Sequence, residues 1–304
     1  MRFVDILGQD SAKKILQGII THQKFAGAYM FLGPSGVGKY SSAMAFAAAI
    51  NCEKGGVDAC GECISCKKMI SGNHPDLIHL VPEGDKKYLS IEQIRELNRL
   101  TMYGPHEGKR MVVVLRDLES AKIEASNAFL KLLEEPPKNV TLIILTDRPE
   151  YLLDTIRSRT QKIIFSELSP GIIKSYLISH YSLSPAQAEA YFEISGGSLG
   201  KACKLIEVFP DLSWVLKEVS DAEGKSYLEW NRFITELEKQ KENSEDLLNI
   251  LLFSLWKKVN SAKYPQRIID AMKAILDGVS QIKRRSNFRL ALDIIFLKVA
   301  DSLA

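Results

Sequence analysis

The run Ala28-Tyr29-Met30-Phe31-Leu32-Gly33-Pro34-Ser35-Gly36-Val37-Gly38-Lys39-Tyr40 decides the fold. Its first five residues are a short apolar run ending at a glycine, and the segment behind it, Ser41 to Ile50, is alanine-rich. The succession reads strand, glycine loop, helix. In that setting Gly33, Gly36, Gly38 and Lys39 read as a phosphate-binding loop: backbone N–H groups and a helix N-terminus hold phosphate oxygens, and the lysine reaches the outer phosphates. A chance glycine turn is the bland alternative, and the strand and helix on either side argue against it. The Ser or Thr that would hold Mg²⁺ is missing. Tyr40 stands there, with its oxygen farther out, and Ser41 lies about 100° around the helix.

Outward from this loop, Met111 to Leu115 and Val140 to Leu145 are short, β-branched and continuous, and Lys162 to Phe165 is a further strand candidate. Helical stretches separate them, which predicts an α/β fold with a parallel sheet covered on both faces. Between two of the strands, Ala125, Phe129, Leu132 and Leu133 fall at helical spacing within Ala121 to Glu135, and Pro136-Pro137 stops the helix. A second acidic motif for Mg²⁺ belongs where a buried strand ends. After Leu115 the chain offers Arg116, Asp117, Leu118 and Glu119, with no adjacent acid pair. Either Arg116 takes the metal position and puts a cation there, or Asp117 takes it and Leu118 replaces the water-orienting acid. A solvated strand end is the plain alternative. Two separate defects predict that intrinsic ATP hydrolysis is absent or feeble and leave Mg²⁺–ATP binding open.

From Ser169 onward the pattern turns helical. Ser169-Pro170 and Ser184-Pro185 read as caps followed by proline at the first helical position, and Gly196, Gly197 and Gly200 precede another helix from Lys201. The division expected is an α/β domain over 1–166, a small helical lid over 167–209 and an all-α bundle over 210–304. Apolar faces in the last part include Leu247, Ile250, Leu251, Leu255 and later Leu290, Leu292, Ile295 and Leu297. With 304 residues, 46% hydrophobic and 25% charged, the chain has ample core and is not of disordered composition. A net charge of +3 is too small to argue for nucleic acid on its own. The first ten residues do not read as a secretory signal, and no apolar run approaches the ~20 residues of a membrane span. A cytoplasmic protein is expected.

In that compartment cysteines point to metal before disulfides. Cys52, Cys60, Cys63 and Cys66 form C-x₇-C-x₂-C-x₂-C directly after the loop's helix. Four thiolates at these spacings suit a closed, structural Zn²⁺ site within a module at 52–66. A redox C-x-x-C pair is the rival, and four clustered thiols fit it less well. Cys203, far away, reads as core packing.

With loop, cysteines and downstream helix in this order, the chain resembles the delta-prime subunits of bacterial DNA polymerase III and, more loosely, the gamma/tau motor subunits. Gly72-Asn73-His74-Pro75-Asp76, Asn127 to Pro137 (NAFLKLLEEPP) and Thr155-Ile156-Arg157-Ser158-Arg159 carry the resemblance over nearly all of the first 165 residues. Beyond them, Asn287 to Leu292 (NFRLAL) is the best family-like piece. The resemblance implies an AAA+ module with an inserted zinc module, a helical lid and a C-terminal collar. It also implies partners: gamma/tau and delta subunits in a five-membered loader, the sliding clamp, and primer-template DNA reached through the complex. Ser158-Arg159 stands where the family carries Ser-Arg-Cys, with Thr160 in place of the cysteine. This implies a catalytic role in trans for Arg159 on a neighbour's ATP, against the alternative of a helix-terminal arginine favoured by the macrodipole. Thr146 matches the family's sensor-1 position and Lys201 its sensor-2 region, while Gly8 and Gln9 lie in its adenine-side segment. The rivals are an ATP-hydrolysing gamma/tau subunit, a self-contained P-loop kinase or helicase, and a non-enzymatic DNA-binding scaffold. The first two need Mg²⁺ ligands that are absent here, and the third needs a basic face that the mixed charges around the cysteines do not form.

Overall fold

A computed structural model of the chain describes residues 1–83, 88–220, 222, 224–239, 241–260, 262, 264–282 and 288–303. It divides into two compact units, Met1–Lys201 and Ala202–Ala304.

The first unit is built on α1 (Asp10–His22), β1 (Ala28–Leu32), α2 (Lys39–Ile50), α3 (Ile64–Ile70), β2 (Leu77–Leu80), α4 (Ile91–Thr101), β3 (Met111–Arg116), α5 (Ile123–Glu134), β4 (Val140–Thr146), α6 (Asp154–Ser158), β5 (Gln161–Ile164), α7 (Pro170–Tyr181) and α8 (Pro185–Ser195). The five strands form one sheet in the order β2-β3-β4-β1-β5, with every pairing parallel. Because side chains alternate along a strand, each strand feeds two cores. Tyr29, Phe31, Val112, Val114, Ile143 and Leu145 pack with α1 and α2 on one face. Met30, Val113, Leu115, Leu142 and Ile144 pack with α4 and α5 on the other. Burial on both faces explains why β3 and β4 read as unbroken apolar runs. The alanines of α2 let that helix lie close against the sheet, and Ala43, Ala45 and Ala47 are fully buried.

The strands differ from the sequence reading in small ways. β3 runs one residue further, to Arg116, and β5 begins one residue earlier, at Gln161. β2 was not foreseen: it is four residues long, and His79 breaks its apolar character. Ser184 caps α8 through a capping box with Gln187, whereas Ser169 precedes α7 without a side-chain cap bond.

α9 (Leu199–Val208) runs from the first unit into the second, which continues with α10 (Ser213–Ser220), α11 (Tyr227–Lys239), α12 (Ser244–Lys258), α13 (Pro265–Ile282) and α14 (Phe288–Leu303). Leu247, Ile250, Leu251 and Leu255 of α12 are buried as expected. On α14 the buried stripe is Leu292, Ile295, Phe296 and Val299, while Leu290 and Leu297 are exposed, a correction that the 3.6-residue period imposes. Trp230 and Phe233 of α11 pack on Phe296 with ring centroids 5.4 and 5.6 Å apart. Asn287, the first residue of the NFRLAL segment, lies outside the described residues. No helix among the described residues is long and apolar enough to cross a membrane.

Candidate functional site

The loop 33–38 leaves the carboxyl end of β1 and enters α2. Gly33, Gly36 and Gly38 all adopt positive φ. At Gly33 the need for glycine is also steric, since a Cβ there would lie 2.1 Å from the Phe165 carbonyl oxygen. Lys39, the first residue of α2, is 9% exposed. Its ammonium donates to the carbonyl oxygens of Gly33 and of Pro34, the latter at 2.7 Å. Burial lowers its pKa, against the pull of the Asp147 and Glu119 carboxylates.

Tyr40 takes the next position. Its ring lies 5.8 Å from the His79 ring, and the Arg116 guanidinium carbon is 5.8 Å from its centroid. The first helical residue after the lysine and the last residue of β3 are where a working loop places its two Mg²⁺ ligands. Here they present a phenol ring and a guanidinium close to one another. At the end of β3 Arg116 is the terminal strand residue, and Asp117 has φ 58° and opens a short 3₁₀ turn. Asp117 is exposed and lines a recess at the sheet's carboxyl edge with Val81, Pro82, Arg116, Glu119 and Arg148.

The turn brings in an acid that sequence reasoning passed over. Glu119 accepts a 3.1 Å hydrogen bond from the Thr146 hydroxyl, and its other carboxylate oxygen is buried without a partner among the described residues. Burial pushes its pKa up, partly offset by the Thr146 bond. Thr146 closes the corner by accepting from the Arg148 N–H at 3.1 Å. The only sequence signal for Glu119 was its place three residues after a strand end. The left-handed residue at 117 is what turns it inward.

The start of α9 meets the same loop. Gly200 N–H donates to the Gly36 carbonyl at 2.9 Å, and the Ser198 hydroxyl donates to the Ser35 carbonyl at 2.7 Å. Ser198 also accepts from the Lys201 N–H at 3.2 Å, which puts the Lys201 charge close enough to Lys39 to lower the latter's pKa further. On the other side Gln9 donates to the carbonyls of Val37 and Ser166 at 3.0 and 2.6 Å. The structure thus gathers Gly33, Gly36, Gly38, Lys39, Tyr40, Thr146 and Lys201 at one end of the sheet, with Asp117 at the rim.

Arg159 is not among them. It follows α6 and precedes β5, whose first residue pairs with Tyr29 near the start of β1. In a parallel sheet this is the amino end, opposite the end from which the loop leaves. There Arg159 is partly exposed, pairs with Glu134 at 3.1 Å and donates to the Thr155 carbonyl at 3.2 Å.

The four cysteines do come together. Cys52, Cys60, Cys63 and Cys66 have sulfurs all within 4.8 Å of one another, and the Cys60 and Cys66 sulfurs are 3.9 Å apart. A tetrahedron with metal–sulfur bonds of about 2.3 Å has edges of about 3.8 Å, so the set could hold a metal ion. Backbone N–H groups of Cys63 and Glu62 point at the Cys60 sulfur at 3.3 and 3.4 Å and lower its pKa to about 6. Burial pushes Cys66 up to about 12, a cost that a cation would reverse. Cys203 is half-buried on α9.

The Gly72–Asp76 segment explains itself structurally. His74 Nδ1 accepts from the Asp76 N–H, so its Nε2 carries the proton toward the Ser65 hydroxyl at 3.1 Å, inside α3. Burial lowers the His74 pKa. Asp76, fully buried, accepts the N–H groups of His106, Glu107 and Gly108, and these bonds outweigh burial and hold its pKa below the ordinary range.

Sheet order, a lysine loop after β1 and a glycine turn of a following helical segment closing on that loop define a P-loop module of the AAA+ class. A sequence model of the family described as "DNA polymerase III, delta subunit" matches residues 8–169. The delta' subunit of DNA polymerase III from Bacillus subtilis is 35% identical over 182 residues, 59% of this chain and 54% of that protein. Its counterpart from Pseudomonas aeruginosa is 35% identical over 175 residues, 57% of this chain and 53% of that one. The tau subunit of B. subtilis is 30% identical over 227 residues, 73% of this chain and 40% of that protein. The chain belongs to the DNA polymerase III delta-subunit family, and its matches span about half or less of these relatives' own length.

Proposed function

We propose that this chain is the delta-prime member of a bacterial replicative clamp loader, hydrolysing no ATP itself and lending Arg159 to the site of a neighbouring motor subunit. The observation that carries the reading is the Tyr40–Arg116 pair. Transfer of a γ-phosphoryl group needs a divalent cation to gather the developing charge, and both positions that would ligate it hold groups unable to do so. Arg159 stands at the opposite end of the sheet from the chain's own loop, partly exposed, and would have to leave Glu134 to meet another molecule. A guanidinium supplied from outside stabilises the transferring phosphoryl group in a neighbour as well as one supplied from within.

In this reading the partners are gamma/tau and delta subunits, with the sliding clamp and primer-template DNA met through the assembled complex in the cytoplasm. The α/β module over 1–166, a lid over 167–209 and a collar over 210–304 divide the work. Zn²⁺ is the occupant that four thiolates without an open coordination position select, and it would serve folding only.

The test is a loader reconstituted with Arg159→Ala. ATPase should fall ~10³-fold at the affected site, as for loss of other trans arginines, while assembly by gel filtration is unchanged. Wild-type turnover in that complex rejects the role. The motor-subunit reading draws on the longer match to tau. It predicts turnover by the isolated chain that Lys39→Ala abolishes.

A further inference from the structure

The cysteine cluster and the phosphate loop are joined by the first nine residues. Asp58, in the loop between Cys52 and Cys60, accepts the backbone N–H of Phe3 at 2.9 Å through one oxygen and that of Val4 at 3.2 Å through the other. These are donors of the short 3₁₀ turn Phe3–Asp5, whose preceding residue Arg2 makes no side-chain cap bond to them. Hydrogen bonds to a carboxylate are stronger than neutral ones. The same Asp58 oxygen that holds Phe3 accepts the Ala59 N–H at 2.7 Å, so the grip is part of the cysteine loop's own backbone geometry. The Phe3 ring, 1% exposed, belongs to the same buried cluster as Val37 of the phosphate loop and Cys52, Ala59 and Cys66 of the cysteine module.

From there the segment runs to the loop. The Ile6 carbonyl is held by Lys13 Nζ at 3.1 Å, and an Ile6 methyl lies 3.8 Å from where a Cβ on Gly38 would stand. Gly8 and Gln9 follow with φ 59° and 55°. A left-handed conformation is unfavourable for glutamine and persists only where the surroundings enforce it. Here the Gln9 amide does so, bridging Val37 and Ser166 as described and accepting the Ser166 N–H at 3.2 Å.

We propose that residues 3–9 are a strap through which the metal-loaded cysteine module holds the flank of the phosphate loop, with Asp58 as the positioning residue. The inference rests on the cysteine module taking Zn²⁺. With metal bound, Asp58 is fixed and the strap is taut. Without it, the loop 52–60 loosens, the Phe3 and Val4 amides are released, and Gln9 loses the purchase that keeps Val37 and Ser166 bridged.

Three backbone amides report this directly: Phe3 and Val4, which bond Asp58, and Ser166, which bonds Gln9. Hydrogen exchange of the full chain should be followed as purified, after removal of Zn²⁺ with a chelator, and in Asp58→Ala with Asp58→Asn beside it. Zinc content is measured in each. Stripping the metal is expected to speed exchange at Phe3, Val4 and Ser166 by ~10-fold or more. Asp58→Ala should do the same at Phe3 and Val4 and less at Ser166 while keeping one zinc per chain, and Asp58→Asn should fall between. Acceleration confined to 52–66 after stripping, or wild-type rates at Phe3 and Val4 in Asp58→Ala, overturns the proposal. Protein purified without chelator and free of zinc removes the metal reading instead, and the Asp58 variants then test the strap alone.

Discussion

The phosphate loop and the cysteine module are neighbours in sequence and share one core, yet they have kept different things. All four sulfurs of the module lie within 4.8 Å of one another, a set that could hold a metal ion. The loop has its glycines and its lysine but, in the reading proposed above, a phenol and a guanidinium where Mg²⁺ ligands belong. The difference follows from what each residue does for the fold. Closing a four-ligand site is cooperative, and removing one thiolate spoils the whole. In the loop, Gly33 is required by the approach of Phe165, and Lys39 bonds the carbonyls of its own turn. These hold the chain together without any nucleotide. The hydroxyl and acid that would serve only the metal have no such structural duty.

The largest effect that would break this comparison is in the module. With Zn²⁺ as the proposed occupant, Cys66→Ser should release it and destabilise the first unit by at least ~3 kcal/mol in denaturant titration. Stability near wild type with zinc retained would mean that the four thiols are not one unit. Next comes the loop lysine. Lys39→Ala should lower stability by about 1.5–3 kcal/mol through loss of its hydrogen bonds to the Gly33 and Pro34 carbonyls, with no change in ATP turnover by the isolated chain. A fall in turnover would show that the lysine still does chemistry.

A gain of function sharpens the contrast further. Tyr40→Thr with Arg116→Asp restores both ligand types and should strengthen Mg²⁺-dependent nucleotide binding ~10-fold or more by calorimetry. An affinity unchanged by Mg²⁺ would mean that the seat was lost through more than these two side chains. The smallest effect is a pH dependence. Burial raises the folded-state pKa of Glu119 above its unfolded value, so the folded protein holds that proton more tightly. Its contribution is therefore most favourable below the ordinary carboxylate range and is lost as pH rises through the folded-state value. Glu119→Gln, which can still accept from Thr146, should gain stability relative to wild type in melting curves taken upward from about pH 4. Parallel curves would place Glu119 in water.

Much of this was readable from residues. The strand-loop-helix unit, β3 and β4 as apolar runs, and the cysteine set by spacing all follow from local pattern. β2 was not readable, because four residues with a histidine among them carry too little periodicity. Glu119 escaped for a different reason: helix or strand geometry would aim it elsewhere, and only the left-handed residue at 117 brings it to Thr146. The exposure of Leu290 and Leu297 was hidden because an α14 rich in apolar residues all round does not announce which stripe meets its neighbours.

By itself the sequence determined the strand-loop-helix unit, the longer strands and which residue types follow Lys39 and end β3, since these depend on residue identity and short-range spacing. Tertiary structure alone decided that Tyr40 stacks beside Arg116, that Glu119 closes on Thr146, and that Arg159 stands at the far end of the sheet from Lys39. The two contacts join residues 76 and 27 positions apart, and only the parallel strand order, set by burial of both sheet faces, determines which residues meet.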